Sequence, residues 1–379
     1  MAALDRLLQV ATGPYQRARE WKEATGGKVV GCCPMHFPEE LVVAAGMLPI
    51  VLQESDEPVT EGYAHLYPFF CGFTRSAVDV AVKGKLSLFD AFIFPDTCLQ
   101  VRALAHIFRK NLPKTRVEFI QFPTDLRGPH TREEMTTRLE NMVSTLENLA
   151  GQTISRSSLN QAIELFNQDR DVLRQLYDLR RERPGLLRAQ EVMGVVKASM
   201  LMPREEHLGL TQELVKELAA KKPARGTRVR LMVSGHLCQA PKVDLLDLIE
   251  DLGGEVVEDD LYTGYRYIAT DARVDGNPIG ALADKYIDMV VPCPTRSDPV
   301  NDWRDYMIKA VKKSGAQGVV SFLVKFCEPH IFFYPDLRVA LAEAGIPHLL
   351  LETEHEVVSL EGAKTRLQAF VEMLRRKKK

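Results

Sequence analysis

Seven cysteines are spread along the 379-residue chain, and no two of them are spaced as C-x-x-C. Local zinc ribbons and thioredoxin-like redox pairs need that spacing, so any metal site must be assembled from distant parts of the chain. Cytosolic thiols stay reduced, which leaves core packing, redox chemistry or metal ligation as their uses. Three of the seven sit where ligands collect. Cys98 closely follows the apolar run Ala91-Phe92-Ile93-Phe94-Pro95, Cys327 follows Val319–Val324, and Cys71 lies in Tyr67-Pro68-Phe69-Phe70-Cys71-Gly72 ahead of a helical stretch. A thiol at a helix N-terminus is expected to ionise more readily, and the thiolate is the form that binds metal. The aromatic neighbours Phe69, Phe70, Phe73 and Phe326 are expected to keep water away from such a site.

The other cysteines read differently. Cys32 and Cys33 end a short apolar run, and adjacent cysteines rarely bridge without strain, so core packing is expected. Cys238 lies in the strand-to-helix loop Ser234–Pro241, facing the same cleft, and Cys293 sits between Pro292 and Pro294 at an expected strand end. Neither is counted as a ligand.

The elements that would position these residues alternate in a regular way. Residues 1–25 read as one amphipathic helix. Short apolar runs at 28–33, 48–52, 91–95 and 117–122 then alternate with helices at 37–45, 74–82 and 99–109. Such alternation predicts βαβ units and a parallel sheet. From about 130 to 222 charge-rich helical periodicity takes over, broken at Pro184 and Pro203. After Lys221-Lys222-Pro223 the alternation resumes, with strands expected at 228–233, 255–257, 289–291, 319–324 and 348–351. Helices are expected there at 243–252, 279–285, 302–313, 335–344 and 361–376. The expectation is therefore an α/β protein with two Rossmann-like parallel-sheet domains, 1–125 and 224–379, joined by a helical segment, 126–223. A cleft between the halves is the expected ligand site, since ligands bind beyond the carboxyl ends of parallel strands.

Composition narrows the function classes. The chain is 45% hydrophobic and 26% charged with net charge −2, without the basic excess of a nucleic-acid binder. Leu41–Gln53 is uncharged but shorter than the ~20 residues needed to span a bilayer. Residues 1–20 carry Asp5, Arg6, Arg17, Arg19 and Glu20 and no apolar core, so no secretory signal is expected. No membrane association and a cytoplasmic location follow as expectations. The terminal Arg375–Lys379 run reads as a solvated tail.

Several longer blocks carry a family resemblance. Gly31-Cys32-Cys33-Pro34-Met35-His36-Phe37-Pro38-Glu39-Glu40-Leu41, followed by Ala44-Ala45-Gly46-Met47-Leu48-Pro49, resembles the N-terminal signature of the 2-hydroxyacyl-CoA dehydratase / benzoyl-CoA reductase family. Phe70-Cys71-Gly72-Phe73-Thr74-Arg75-Ser76 and Phe94-Pro95-Asp96-Thr97-Cys98 resemble its first two cluster-binding stretches. Phe326-Cys327-Glu328-Pro329-His330, with Tyr334–Leu337, Ala344–Pro347 and Leu351–Glu354, resembles its C-terminal block. The likeness runs in order over nearly the whole chain.

What the resemblance implies is specific. Cys71, Cys98 and Cys327 would bind a 4Fe–4S cluster with one iron left open to a non-protein ligand. The partners implied are a homologous larger subunit in a heterodimer core, an ATP-hydrolysing iron–sulfur activator, and ferredoxin upstream. The substrate implied is an aromatic acyl-CoA. The chain has no G-x-x-x-x-G-K-S/T loop, consistent with ATP being handled elsewhere. Gly72 after the first ligand and Leu99 after the second make it look closer to the smaller, gamma-type subunit of benzoyl-CoA reductase than to the dehydratases. The dehydratases more often have proline and aspartate there. Within that reading His36, Glu39 and His330 are candidate proton donors beside the cleft; their plainer roles are a packed loop residue, a helix-start carboxylate and support behind Cys327. Arg75, Arg102, Arg266 and Lys325 are candidates for meeting CoA phosphates. Two other classes stay open: an electron-relay or scaffold subunit, and a structural or transport protein with a zinc-like tris-thiolate.

Overall fold

The computed structural model describes residues 1–222, 228–356 and 359–377. Pro223, part of the expected boundary, and the last two lysines of the tail lie outside the described residues. The chain opens with α1 (Ala2–Thr12) and α2 (Gln16–Thr25). The single helix expected over 1–25 is broken at Gly13-Pro14, since proline lacks the N–H and clashes with the preceding turn. Then come β1 (Val29–Cys32), α3 (Glu39–Ala44), β2 (Leu48–Val51), α4 (Gly72–Val82), β3 (Ala91–Pro95), α5 (Leu99–Asn111) and β4 (Arg116–Ile120). Pro38 caps α3 from outside its first turn. Four helices follow: α6 (Thr131–Ala150), α7 (Arg156–Glu182), α8 (Ala189–Ser199) and α9 (Arg204–Ala219).

The second α/β part has β5 (Val229–Gly235), α10 (Val243–Asp251), β6 (Gly254–Asp259), α11 (Tyr265–Ile268), α12 (Pro278–Ile287) and α13 (Trp303–Ser314). It ends with β7 (Gly318–Val324), α14 (Glu328–Glu343), β8 (His348–Thr353) and α15 (Glu361–Lys377). Two expectations differ. Residues 289–291 form no strand: Asn301 Nδ2 donates to Met289 O and the Val290 N–H donates to Thr270 Oγ1, so side chains meet this backbone. The helix expected from Pro335 begins at Glu328, with Pro329 in its first turn and Pro335 in its interior.

Both sheets are four-stranded and parallel, in the orders β2-β1-β3-β4 and β6-β5-β7-β8. The second order repeats the first, so each half reverses direction between equivalent strands, β1 and β3 in one and β5 and β7 in the other. Alternate strand residues feed opposite faces. Val29, Phe92 and Phe94 enter one core with α1, α4, α5 and α8, while Val30, Cys32 and Ile93 enter another with α3, α6 and α12. Burial on both faces is what a parallel sheet requires. Helix α12 thus packs its Leu282, Ala283 and Tyr286 with residues of the first sheet although it follows β6 in sequence.

Candidate functional site

Each of the three singled-out cysteines is the residue immediately before a helix. Cys71 caps α4, Cys98 caps α5 and Cys327 caps α14. Cys98 follows β3 and Cys327 follows β7, so both lie at the points where their sheets reverse. The fold brings all three to one tight cavity with about 30 Å³ of free volume. Three helix N-termini, each carrying roughly half a positive charge, therefore head toward one space, an arrangement suited to anionic sulfur.

Gln100 ties the three segments together. The Cys71 backbone N–H donates to Gln100 Oε1 at 2.7 Å, and Gln100 Nε2 donates to the Phe326 carbonyl at 2.6 Å. A buried carboxamide two residues after Cys98 thereby links the residue before Cys327 to Cys71 itself. Nothing in the local pattern around Gln100 marks that role; it requires knowing that residues 71 and 326 are neighbours.

The expected easy ionisation of these thiols does not hold for the protein by itself. Burial pushes Cys71 up to about 12 against the pull of the Thr74 hydroxyl, 3.3 Å from its Sγ. Burial also raises Cys98, although the N–H groups of Val101 and Gln100 oppose it, and raises Cys327, with the charge of Cys71 adding to it. Desolvation outweighs the helix ends. A bound cation reverses that balance, because a coordinating thiol is deprotonated outright. The shielding also differs from expectation. Phe73 lines the cavity with Met35, Val101, Leu237 and Val324, whereas Phe69 and Phe326 are exposed.

The residues present fit the iron–sulfur group that the resemblance implies. The walls are apolar and the donors are three thiols. Thr97, buried beside Cys98 on the cavity wall, sets its hydroxyl against that thiol. Among the described residues no three His, Cys, Asp or Glu side chains converge closely enough to hold a single metal ion.

Backbone strain concentrates around the same space. The non-glycine residues with positive φ among those described are Met35 (70°), His36 (58°), His236 (46°) and Phe326 (64°). They follow β1, β5 and β7, and such conformations persist only where the surroundings over-determine them.

Two of the expected proton donors line a second cleft, separated from the first by Met35, which borders both. There the Tyr267 hydroxyl donates to Glu39 at 2.7 Å and Arg204 pairs with the same carboxylate at 3.0 Å. Burial raises Glu39, with Arg204 opposing. Neighbouring Glu40 is held well below the carboxylate range: burial works upward, but Lys285 at 2.7 Å and Arg170 outweigh it. His36 has its Nε2 2.9 Å from Cys293 Sγ, and burial, reinforced by Arg296 and Arg266, keeps the ring neutral. His330 lines neither cavity. It is fully buried, 5.3 Å from the Trp303 ring, with neither ring nitrogen hydrogen-bonded, and burial lowers it to about 3.

The candidate phosphate-binding cations are mostly committed elsewhere. Arg75 is buried against Glu354, Phe70 O and Tyr63. Arg266 pairs with Asp260 at 3.3 Å and Arg102 with Asp96 at 2.6 Å; Lys325 is exposed. No helix among the described residues is long and apolar enough to cross a membrane.

Comparison with known proteins identifies a family. The profile of the 2-hydroxyglutaryl-CoA dehydratase, D-component family matches residues 34–374. The chain is 28% identical to the (R)-phenyllactyl-CoA dehydratase beta subunit of Clostridium sporogenes over 96% of both chains. It is 28% identical to the beta subunit of (R)-2-hydroxyglutaryl-CoA dehydratase from Acidaminococcus fermentans over 98% of this chain and 99% of that one. It is 24% identical to a benzoyl-CoA reductase subunit of Thauera aromatica over 88% of both.

Proposed function

The chain belongs to the 2-hydroxyglutaryl-CoA dehydratase D-component family, and from that premise we propose that it is the iron–sulfur subunit of an acyl-CoA-converting enzyme of the benzoyl-CoA reductase type. Its task is to pass single low-potential electrons to the ring of an aromatic acyl-CoA bound by the assembled enzyme. The observation that carries this reading is the meeting of Cys71, Cys98 and Cys327, each heading a helix, on one apolar cavity. When bound there, a 4Fe–4S cluster supplies one-electron chemistry at a potential tuned by burial and hydrogen bonding.

The chain's own residues do the rest. Gln100 holds the ligand segments in register, and Phe73 and Met35 exclude water. Proton delivery is placed at Glu39 and His36, which line the adjoining cleft; Tyr267 orients the Glu39 carboxylate. His330, neutral and sealed in, supports the α14 start instead. The homologous larger subunit is expected to cover the exposed apolar residues beside the cysteines, among them Tyr67, Phe69, Leu99 and Phe326. An ATP-hydrolysing iron–sulfur activator fed by ferredoxin is the expected electron source.

A second reading, the beta subunit of a radical 2-hydroxyacyl-CoA dehydratase, is favoured by the higher identity and fuller coverage of the dehydratase relatives. The two reactions differ in electron count. Dehydration is redox-neutral overall, so an electron used to start it returns, whereas ring reduction consumes electrons with every turnover.

Iron and acid-labile sulfide are to be measured on anaerobically purified protein, alone and with its partner, for wild type and for Cys71→Ala, Cys98→Ala and Cys327→Ala. A cluster present in wild type and lost in each variant supports the assignment; iron content indifferent to all three substitutions sinks it. With the cluster in hand, electrons consumed per acyl-CoA converted separate reductase from dehydratase.

A further inference from the structure

A cavity with about 470 Å³ of free volume lies between α1 and α8, apart from the sulfur site and within the ~300–1,000 Å³ range of small-molecule pockets. Gln190, Met193, Gly194 and Lys197 line it at helical spacing along one face of α8, and Leu8, Ala11 and Thr12 do the same along α1. A Cβ on Gly194 would come within 2.4 Å of Leu8 Cδ2, so the two helices are in close contact beside the cavity. Residues 53–57, the loop after β2, form another wall. Glu54 of that loop lies 2.9 Å from where a Cβ on Gly72 would sit, so this wall backs onto the residue after Cys71.

The charges on these walls are unequally committed. Each of the three carboxylates is paired: Glu54 with His355, Asp56 with Lys242 at 2.9 Å, and Glu57 with Lys85 at 2.6 Å. The cations Lys197 and Arg19 make no side-chain hydrogen bond or ion pair among the described residues. Arg19 is exposed and solvated, but Lys197 is half-buried in the last turn of α8. Burial pulls its pKa down, with Asp56 and Glu54 opposing, and a charge withdrawn from water without a partner is costly. Tyr15 adds a donor to the same walls. Its hydroxyl accepts the Gln53 N–H at 3.0 Å, and its own proton meets no acceptor among the described residues. Leu8, Ala11, Val80, Met193 and Val243 supply apolar surface around these two groups.

We propose that this cavity is a binding site for a monocarboxylate with an apolar body. The carboxylate pairs with Lys197 and accepts from the Tyr15 hydroxyl, and the body lies along the facing sides of α1 and α8. A charge-assisted bond of this kind is stronger than a neutral one, and it gives the unpaired lysine the partner that the chain itself does not. A single negative charge is preferred over two, because Glu54, Asp56 and Glu57 share the walls and repel a dianion such as phosphate. Arg19, free at the surface, draws the anion toward the cavity. Binding here requires no iron at the sulfur cavity, so it holds or fails separately from the cluster assignment.

The test is calorimetric titration of the full-length chain with benzoate and hexanoate, and with benzamide and hexanamide as neutral counterparts, at matched ionic strength. Both carboxylates are expected to bind saturably at one site, and both amides about tenfold or more weakly, the cost of losing a hydrogen bond to a charged group. Lys197→Met exchanges an unpaired cation for an apolar chain. It is expected to melt no lower than wild type and to lose carboxylate binding by a similar factor, while Lys197→Arg keeps it. Phosphate is expected not to displace benzoate. Carboxylates that do not bind, amides that bind as tightly, or a Lys197→Met variant that binds like wild type overturn the proposal, and displacement by phosphate overturns the single-charge preference. If Lys197→Met does not fold, Lys197→Gln and the acid-against-amide comparison on wild type decide it.

Discussion

The Gln100 side chain accepts the Cys71 N–H at 2.7 Å while donating to the carbonyl of Phe326, so one carboxamide spans the two α/β halves at the sulfur cavity. Without it the part-buried Cys71 N–H and Phe326 carbonyl both lose their partner. Replacing Gln100 by alanine is expected to cost about 1–3 kcal/mol of stability. It is also expected to speed iron loss from the loaded protein under a chelator. Thermal melts and chelation kinetics check this, and unchanged kinetics would remove Gln100 from the site's support.

The buried charges behind Glu39 form a continuous network. Arg204 joins Glu39 at 3.0 Å to Asp169 at 2.9 Å, and Asp169 in turn meets His207 Nδ1 at 2.5 Å. Removing one member strands the others, so Asp169→Leu is expected to destabilise by about 3–5 kcal/mol. Burial pulls the Asp169 pKa upward, but His207 and Arg204 prevail and lower it. Its contribution is therefore present above the unfolded carboxylate value of about 3.9 and is lost as pH falls through the lower folded value. Denaturant melts from pH 7 down to pH 3 should show the wild-type advantage over the variant persisting until strongly acid conditions.

His355 behaves in the opposite sense. It pairs through Nδ1 with Glu54, and its Nε2 lies 3.0 Å from Glu57 O, joining the end of β8 to the loop after β2. Burial would lower its pKa, but the Glu54 bond and charge raise it. The stabilisation is full below the unfolded histidine value of about 6.5 and fades as pH rises through the higher folded value. His355→Gln is expected to lower Tm clearly at pH 6 and progressively less above neutrality. A difference that grows with pH would show the charge assignment to be wrong.

Two glycines give a contrast that needs no ligand. Gly235→Ala sets a Cβ 2.1 Å from a carbonyl at φ +114° and is expected to destabilise by more than ~1 kcal/mol. Gly209, inside α9 with nothing within 4 Å of its would-be Cβ, should gain up to ~1 kcal/mol as alanine. Paired urea melts of the two variants measure both signs.

Much of this protein is determined by residue order alone. Apolar runs alternating with helical periodicity specify parallel α/β halves, because a strand buried on both faces must be apolar throughout. The positions of Cys71, Cys98 and Cys327 before helices are legible too, since strand ends and helix starts are local events. What only the tertiary structure decided is who meets whom. The break of the first helix at Pro14 is a local signal that amphipathic periodicity over 1–25 conceals, whereas the packing of α12 with the first sheet is invisible to any local pattern. The sulfur cavity is the clearest case: Gln100 and Cys238 join it, Phe69 and Phe326 turn away from it, and His330 is sealed off. Its thiols resist ionisation because desolvation, a property of the assembled interior, exceeds the helix-end field that the sequence displays.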